Sequence, residues 1–216
     1  AKHNSVLGLA TGASPIPTYE YMIEQYRGGK VSFKDVKTFN LDEYCDLPKE
    51  HPNSFYSFME ENLFSKVDIA PENINFLDGN TEPVAESARY ARAIKAAGGI
   101  DIQLLGIGRN GHIGFNEPAG EFTDEAFKVR LTDSTIAANS KYFTDIAMPH
   151  YAITMGIGSI MRARKIILIA TGGSKAEAIK ATVEGEVTPH CPASILQKHD
   201  DVTLFLDEAA ASLLTK

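Results

Sequence analysis

The chain has 216 residues, with 21 Lys+Arg against 28 Asp+Glu for a net charge of −7, and is 44% hydrophobic and 23% charged. Those values exclude a disordered or fibrous chain and fit a single domain over residues 1–216. The acidic balance argues against sequence-independent binding to nucleic acid or to an anionic membrane, both of which need clustered positive charge; a small anion in a local site stays open.

The first extended run, Val6–Ala10, opens into Thr11-Gly12-Ala13-Ser14-Pro15. Tyr19, Met22, Ile23 and Tyr26 then recur at i, i+3, i+4 and i+7, one helical stripe that should stop at Gly28-Gly29. A second run, Val36–Leu41, ends in Asp42-Glu43-Tyr44, and Phe55, Phe58, Met59 and Leu63 mark a second helix. Ile74–Leu77 precedes a third stripe of Tyr90, Ile94 and Ala97. Ile100–Ile107 runs into the glycine-rich Gly106–Glu117. Residues 118–150 fit the pattern poorly and are expected to form a lid-like excursion. Tyr151–Met155 and Lys165–Ala170 resume it, followed by Gly172-Gly173-Ser174-Lys175, a stripe of Ala176, Ile179 and Val183, and Val202–Leu206. All four stripes read as core.

Runs apolar on both alternating faces are strands covered on two sides. Their alternation with helices predicts an α/β fold: an open, mostly parallel, doubly wound (Rossmann-like) sheet with helices on both faces. Ligands then bind beyond the carboxyl ends of the strands, which directs attention to the loops just named. Two cysteines, Cys45 and Cys191, are too few for a disulfide-held scaffold, so a reducing cytoplasm is expected. No apolar run approaches the ~20 residues of a membrane helix, and Ala1–Ser5 has no signal-peptide core. The chain lacks an initiator Met and enters a strand at Val6, so an upstream segment is expected to have been lost.

Small residues at Thr11, Gly12, Ala13 and Ser14 let backbone N–H groups reach an anion at a helix start; a plain entry with Ser14 as N-cap and Pro15 at N1 reads the same residues without a ligand. Lys175 stands at a helix mouth, where a cation opposes the macrodipole unless an anion lies between them; it could equally be a solvated lysine. Gly106-Ile107-Gly108-Arg109-Asn110-Gly111 matches G-x-G-x-x-G, but the glycines and proline that follow do not open a helix, so nicotinamide binding is disfavoured. His112 and Glu117 share that loop with Asn110 and Asn116, and a His beside a carboxylate suits acid/base work near neutrality; a hydrogen-bonded turn is the plainer reading. Asp42 and Glu43 point to opposite sides if the strand continues, so only one need face a site. No metal pattern is present: no His-Glu-x-x-His, no Cys-x-x-Cys, and His190-Cys191 stands alone.

Together these blocks resemble the glucosamine-6-phosphate deaminases (the glucosamine/galactosamine-6-phosphate isomerase family). The resemblance lies in Leu7-Gly8-Leu9-Ala10-Thr11-Gly12, Phe39-Asn40-Leu41-Asp42-Glu43-Tyr44, Leu105 through Pro118, Ala152-Ile153-Thr154-Met155-Gly156 and Glu184-Gly185-Glu186-Val187. It implies cofactor-free isomerisation with deamination of glucosamine 6-phosphate to fructose 6-phosphate and ammonia, by a monomer or homo-oligomer acting on a small sugar phosphate. On that resemblance Asp42 matches the base that moves a proton between C2 and C1. His112 matches the ring-opening residue, with Glu117 assisting and Asn110 where some members have Asp. Thr11, Gly12, Ala13, Ser14 and Lys175 match the phosphate site, Gly106 a backbone contact to the substrate, and Lys141 a further phosphate-binding position where many members have Arg. Some members carry arginines where Thr123-Asp124-Glu125-Ala126 stands here, and normally a helix before the first strand. The rival readings are a 6-phosphogluconolactonase-type hydrolase of the same fold and a non-catalytic sugar-phosphate sensor.

Overall fold

The computed structural model describes residues 4–215; the first three residues, read above for a signal peptide, lie outside them. Strand β1 (Val6–Leu9) leads to helix α1 (Ile16–Arg27), and β2 (Lys37–Asn40) to a short β3 (Asp42–Tyr44). Helix α2 (Phe55–Asn62), β4 (Ile74–Asn75), α3 (Pro83–Ala96) and β5 (Ile102–Leu105) follow. Next come β6 (Phe127–Arg130), α4 (Asp133–Asn139), β7 (Tyr151–Thr154) and α5 (Ile157–Met161). The chain closes with β8 (Lys165–Ala170), α6 (Ala176–Glu184) and β9 (Val202–Leu206).

Six strands form one parallel sheet in the order β4-β2-β1-β5-β8-β9. On one face Leu9 and Leu104 pack with Tyr19, Ile23 and Met59 of α1 and α2. On the other, Phe39, Leu105 and Leu168 pack with Tyr90, Ile160 and Ile179 of α3, α5 and α6. The expected two-sided parallel sheet is therefore present. The chain winds outward from β1 to β2 and β4, then restarts at β5 on the other side, so the strand order reverses between β1 and β5. That reversal opens a crevice at the strands' carboxyl ends.

One expected strand belongs elsewhere. Tyr151–Thr154 pairs antiparallel with β3 and β6 in a separate three-stranded sheet over its own apolar cluster of Tyr44, Leu131, Met148 and Ala152. Residues 118–150 contribute β6 and α4 to this region.

The helices start and stop where local chemistry permits. Ser54 caps α2 by accepting from the Ser57 amide, and Glu82 caps α3 by accepting from Val84 and Ala85. Helix α1 ends at Gly28, with Gly29 at positive φ, and α3 runs out into Gly98 and Gly99, both at positive φ. The α6 stripe corrects one expectation: Val183 is 42% exposed, and Ala176, Ala178, Ile179 and Thr182 are buried instead. No helix among the described residues is long and apolar enough to cross a membrane.

Candidate active site

The crevice at the β1/β5 reversal holds a cavity of about 470 Å³. Its walls are the loops that follow β1 (Thr11–Ser14), β2 (Asp42), β5 (Gly106–Gly108, His112, Gly114, Phe115) and β8 (Thr171, Lys175), closed by Phe55. A larger groove of about 660 Å³ runs between the end of α3 and Arg162. It lies at the opposite ends of the strands, and the Arg162 guanidinium is already paired with Asp124 (2.7 Å) and Glu125 (2.6 Å). The chemistry-bearing loops all belong to the smaller cavity.

After β1 the chain turns through Gly12 at φ +91, a conformation that favours glycine. Among the described residues no amide of Thr11, Gly12, Ala13 or Ser14 donates to a partner within the chain. Helix α1 has Pro15 at its N-cap and no side-chain cap, so the reading of Ser14 as a plain N-cap does not hold. Lys175 reaches the same cavity from the loop before α6 and donates from Nζ to Ile107 O at 2.7 Å. Burial and the neighbouring Arg109 hold its ammonium below the ordinary lysine pKa.

Asp42 enters from the other side. The chain leaves the parallel sheet at Leu41, whose N–H donates to Leu9 O (3.0 Å) and whose carbonyl accepts from Met155 N (2.7 Å). Asp42 then opens β3 opposite Thr154. Strand alternation sends Asp42 to the cavity and Glu43 away from it, as expected. The two carboxylates are about equally buried, 7% and 6% exposed, but differently treated. Glu43 accepts from the amides of Tyr44 (2.8 Å), Phe55 (2.9 Å) and Tyr56 (2.9 Å), fastening β3 to the first turn of α2. Asp42 receives no hydrogen bond from any described residue. Burial, and then the charge of Glu43, push its pKa up to about 8. Gly114, at φ +56, keeps this face open: a Cβ there would lie 2.9 Å from Thr154 Oγ1 and 3.6 Å from Asp42 Oδ2.

His112 faces the cavity with its partners behind it. Asn110 Nδ2 donates to Glu117 Oε2 at 2.7 Å, which turns Asn110 Oδ1 toward His112 Nδ1, also at 2.7 Å. Glu117 Oε1 lies 3.3 Å from the same nitrogen. With two acceptors against it, Nδ1 carries the hydrogen, and a neutral ring keeps its lone pair on Nε2. Burial acts to raise the Glu117 pKa, but its bonds to His112 and Asn110 outweigh this and hold it low. Gly108 has to be glycine for packing reasons, since a Cβ would fall on the imidazole.

Most of the residues singled out in the sequence thus converge. Thr11, Gly12, Ala13, Ser14, Asp42, Gly106, His112 and Lys175 line the cavity, with Asn110 and Glu117 behind the imidazole. Lys141 is not brought in: its Nζ sits over the Tyr142 ring, 4.9 Å from the centroid, and among the described residues none of 118–150 lines the cavity. Sequence reasoning passed over Phe55 and Phe115, whose stacked rings (6.0 Å between centroids) form an apolar wall. Phe55 looked like one more core residue in a stripe, although Phe115 stood inside the glycine-rich loop.

The sequence pattern of the family described as glucosamine-6-phosphate isomerases/6-phosphogluconolactonase matches residues 1–205. The chain belongs to this family. Within the isomerase/lactonase family it is 51% identical, over 215 residues, to a protein of Clostridium botulinum (strain Alaska E43 / Type E3) named glucosamine-6-phosphate deaminase, covering 99% of this chain and 86% of that one. A protein of the same name from Hahella chejuensis is 50% identical over 214 residues, covering 99% and 82%. Among solved structures, a monomeric glucosamine-6-phosphate deaminase superposes with a TM-score of 0.92 at 43% identity, covering 98% of this chain and 89% of that one. A 6-phosphogluconolactonase from Thermotoga maritima reaches a TM-score of 0.74 at 19% identity over 95% and 85%, a likeness of fold alone.

Proposed function

We propose that this chain is a glucosamine-6-phosphate deaminase, converting glucosamine 6-phosphate and water into fructose 6-phosphate and ammonia in the cytoplasm. One domain carries the whole reaction, without a metal or cofactor, and neither nucleic acid nor membrane takes part. The names and the high identity of the relatives support the activity. The observation that favours it over lactone hydrolysis is Asp42, a buried carboxylate without hydrogen-bond donors, aimed into the cavity that also holds the imidazole. Lactone hydrolysis needs an activated water; a deaminase needs a strong base for a carbon acid.

The substrate phosphate rests on the free amides of Thr11–Ser14 and on Lys175, with the Gly106 backbone alongside. Anchoring a dianion at one end places the other end of the sugar between Asp42 and His112. His112 Nε2 takes the proton of the anomeric hydroxyl and returns one to the ring oxygen, which opens the pyranose. Asn110 and Glu117 hold the imidazole through Nδ1 for that exchange. In its ionised form Asp42 removes the C2 proton while the C1 carbonyl oxygen takes a proton given up by the substrate ammonium, giving an enolamine, and Asp42 then delivers its proton to C1. The resulting C2 ketimine adds water and expels ammonia, leaving the ketose. A base raised above its usual pKa, beside an apolar wall of Phe55 and Phe115, is suited to carbon deprotonation.

The test is ammonia release from glucosamine 6-phosphate by the purified chain, run beside hydrolysis of 6-phosphogluconolactone. Ammonia without lactone hydrolysis is expected; the reverse pattern would return the chain to the lactonase reading.

A further inference from the structure

Tyr19 on α1 and Tyr90 on α3 are among the least exposed side chains of the molecule. Both hydroxyls bond to backbone rather than to another side chain. Tyr19 Oη donates to Ala10 O at 2.5 Å and accepts from Ala10 N at 3.2 Å. Tyr90 Oη donates to Asn40 O at 2.7 Å, with Asn75 O a second acceptor at 3.3 Å.

The two backbone positions are the places where strands give way to the site. Ala10 follows β1 and immediately precedes Thr11. Asn40 ends β2, two residues before Asp42, and lies beyond the last β2–β4 ladder pair, Phe39 with Asn75. Ala10 is itself buried, so its N–H and C=O depend on the Tyr19 hydroxyl in place of a ladder partner. That one hydroxyl also ties the start of the loop to the first turn of the helix beyond it, closing residues 10–19 into a ring. Tyr90 reaches its target from the opposite face of the sheet. Neither hydroxyl is needed to fill space, since the rings already pack: Tyr90 lies edge-on to Phe39 at 5.5 Å, and Tyr19 sits among the apolar side chains of α1 and α2.

We propose that Tyr19 and Tyr90 are positioning residues, one for each half of the site: Tyr19 sets the loop that receives the phosphate, and Tyr90 sets the turn that presents Asp42. The assignment rests on the roles given to that loop and to Asp42 above.

Tyr19→Phe and Tyr90→Phe each remove one oxygen and keep the ring. For Tyr19→Phe, the KM for glucosamine 6-phosphate and the inhibition constant for inorganic phosphate should rise about three- to tenfold while kcat stays within about twofold. For Tyr90→Phe, kcat and C2-proton exchange should fall about tenfold or more, with phosphate inhibition unchanged. Amide exchange gives a second readout. The Ala10 amide should be protected in the parent, and should exchange faster in Tyr19→Phe but not in Tyr90→Phe.

If both variants change KM and kcat together, or change neither, the proposal is overturned. So too if either is too unstable to assay, since its hydroxyl then holds the fold at large, or if the parent's Ala10 amide exchanges like those of Thr11–Ser14. Asp42→Asn separates this from the site reading. Retained C2 exchange there would overturn the site reading, whereas loss of exchange in Asp42→Asn without the split between the tyrosine variants would overturn the tethers alone.

Discussion

The two halves of the cavity are built on opposite terms. The anion half, Thr11–Ser14 with Lys175, consists of half-exposed or exposed loop residues, unpartnered backbone amides and a single ammonium. The proton-moving half around Asp42 is buried, acidic and walled by aromatic rings. A phosphate keeps its charge throughout the reaction and needs only donors that are free to meet it. A carbon base must be kept from water and from hydrogen bonds that would weaken it. The difference places affinity in one half and rate in the other, and each half can be attacked separately.

The largest effect should come from Asp42→Asn. Loss of a positioned general base typically costs ~10²–10⁴ in rate, and exchange of the C2 proton should stop with it while inorganic phosphate still binds. Measurement of C2 isotope exchange beside ammonia release tests this; parental exchange would remove Asp42 from the mechanism. His112→Gln should slow the closed-ring substrate strongly, by about 10²-fold, yet leave turnover of the small open-chain fraction. Equal loss on both forms, read by single-turnover kinetics, would contradict a ring-opening role.

On the anion side, Lys175→Ala removes a charge-assisted contact worth about 1.5–3 kcal/mol. KM should rise with little change in kcat, and phosphate inhibition should weaken in parallel. Unchanged phosphate binding would make Lys175 a bystander. The smallest effect is on stability. Asp42 stays protonated in the fold up to about pH 8, against 3.8 for the ordinary group. Folding therefore takes up a proton between those limits, and the parent loses stability as pH rises across them. Asp42→Asn removes that slope and should be the more stable protein above pH 8 by at least about 1 kcal/mol, measured by urea melts at several pH values.

The parallel sheet and the loops at its carboxyl ends were legible because they obey local rules. Lys165–Ala170 and Val202–Leu206 match their observed limits, and the polar residues after β1, β2, β5 and β8 converge as such a fold requires. The second sheet was not legible. Asp42–Tyr44 and Phe127–Arg130 are short and rich in charge, and the run at Tyr151 looks like any buried strand; its antiparallel partners are set by distant residues. The burial of Asp42 follows from that sheet, so its altered acidity could not be read from Asp-Glu-Tyr. Lys141 was placed by resemblance, and here its ammonium lies on Tyr142. The hydroxyls of Tyr19 and Tyr90 were hidden by their own hydrophobicity: a helical stripe records a ring and says nothing of the oxygen at its end.

Leu41 is the only residue between β2 and β3, with its N–H bonded into one sheet and its carbonyl into the other. A crossing that short has no slack. An inserted residue would shift β3 by one position: the newcomer would take the slot that faces the cavity, and Asp42 would fall to the amides of α2. The cavity would lose its carboxylate, and Glu43 would move to the slot of Tyr44, off the cavity and without the amides that now hold it. Length at this crossing is thus as much a part of the active site as the identity of the acid, and homologous chains could be sorted by counting residues there before any side chain is compared.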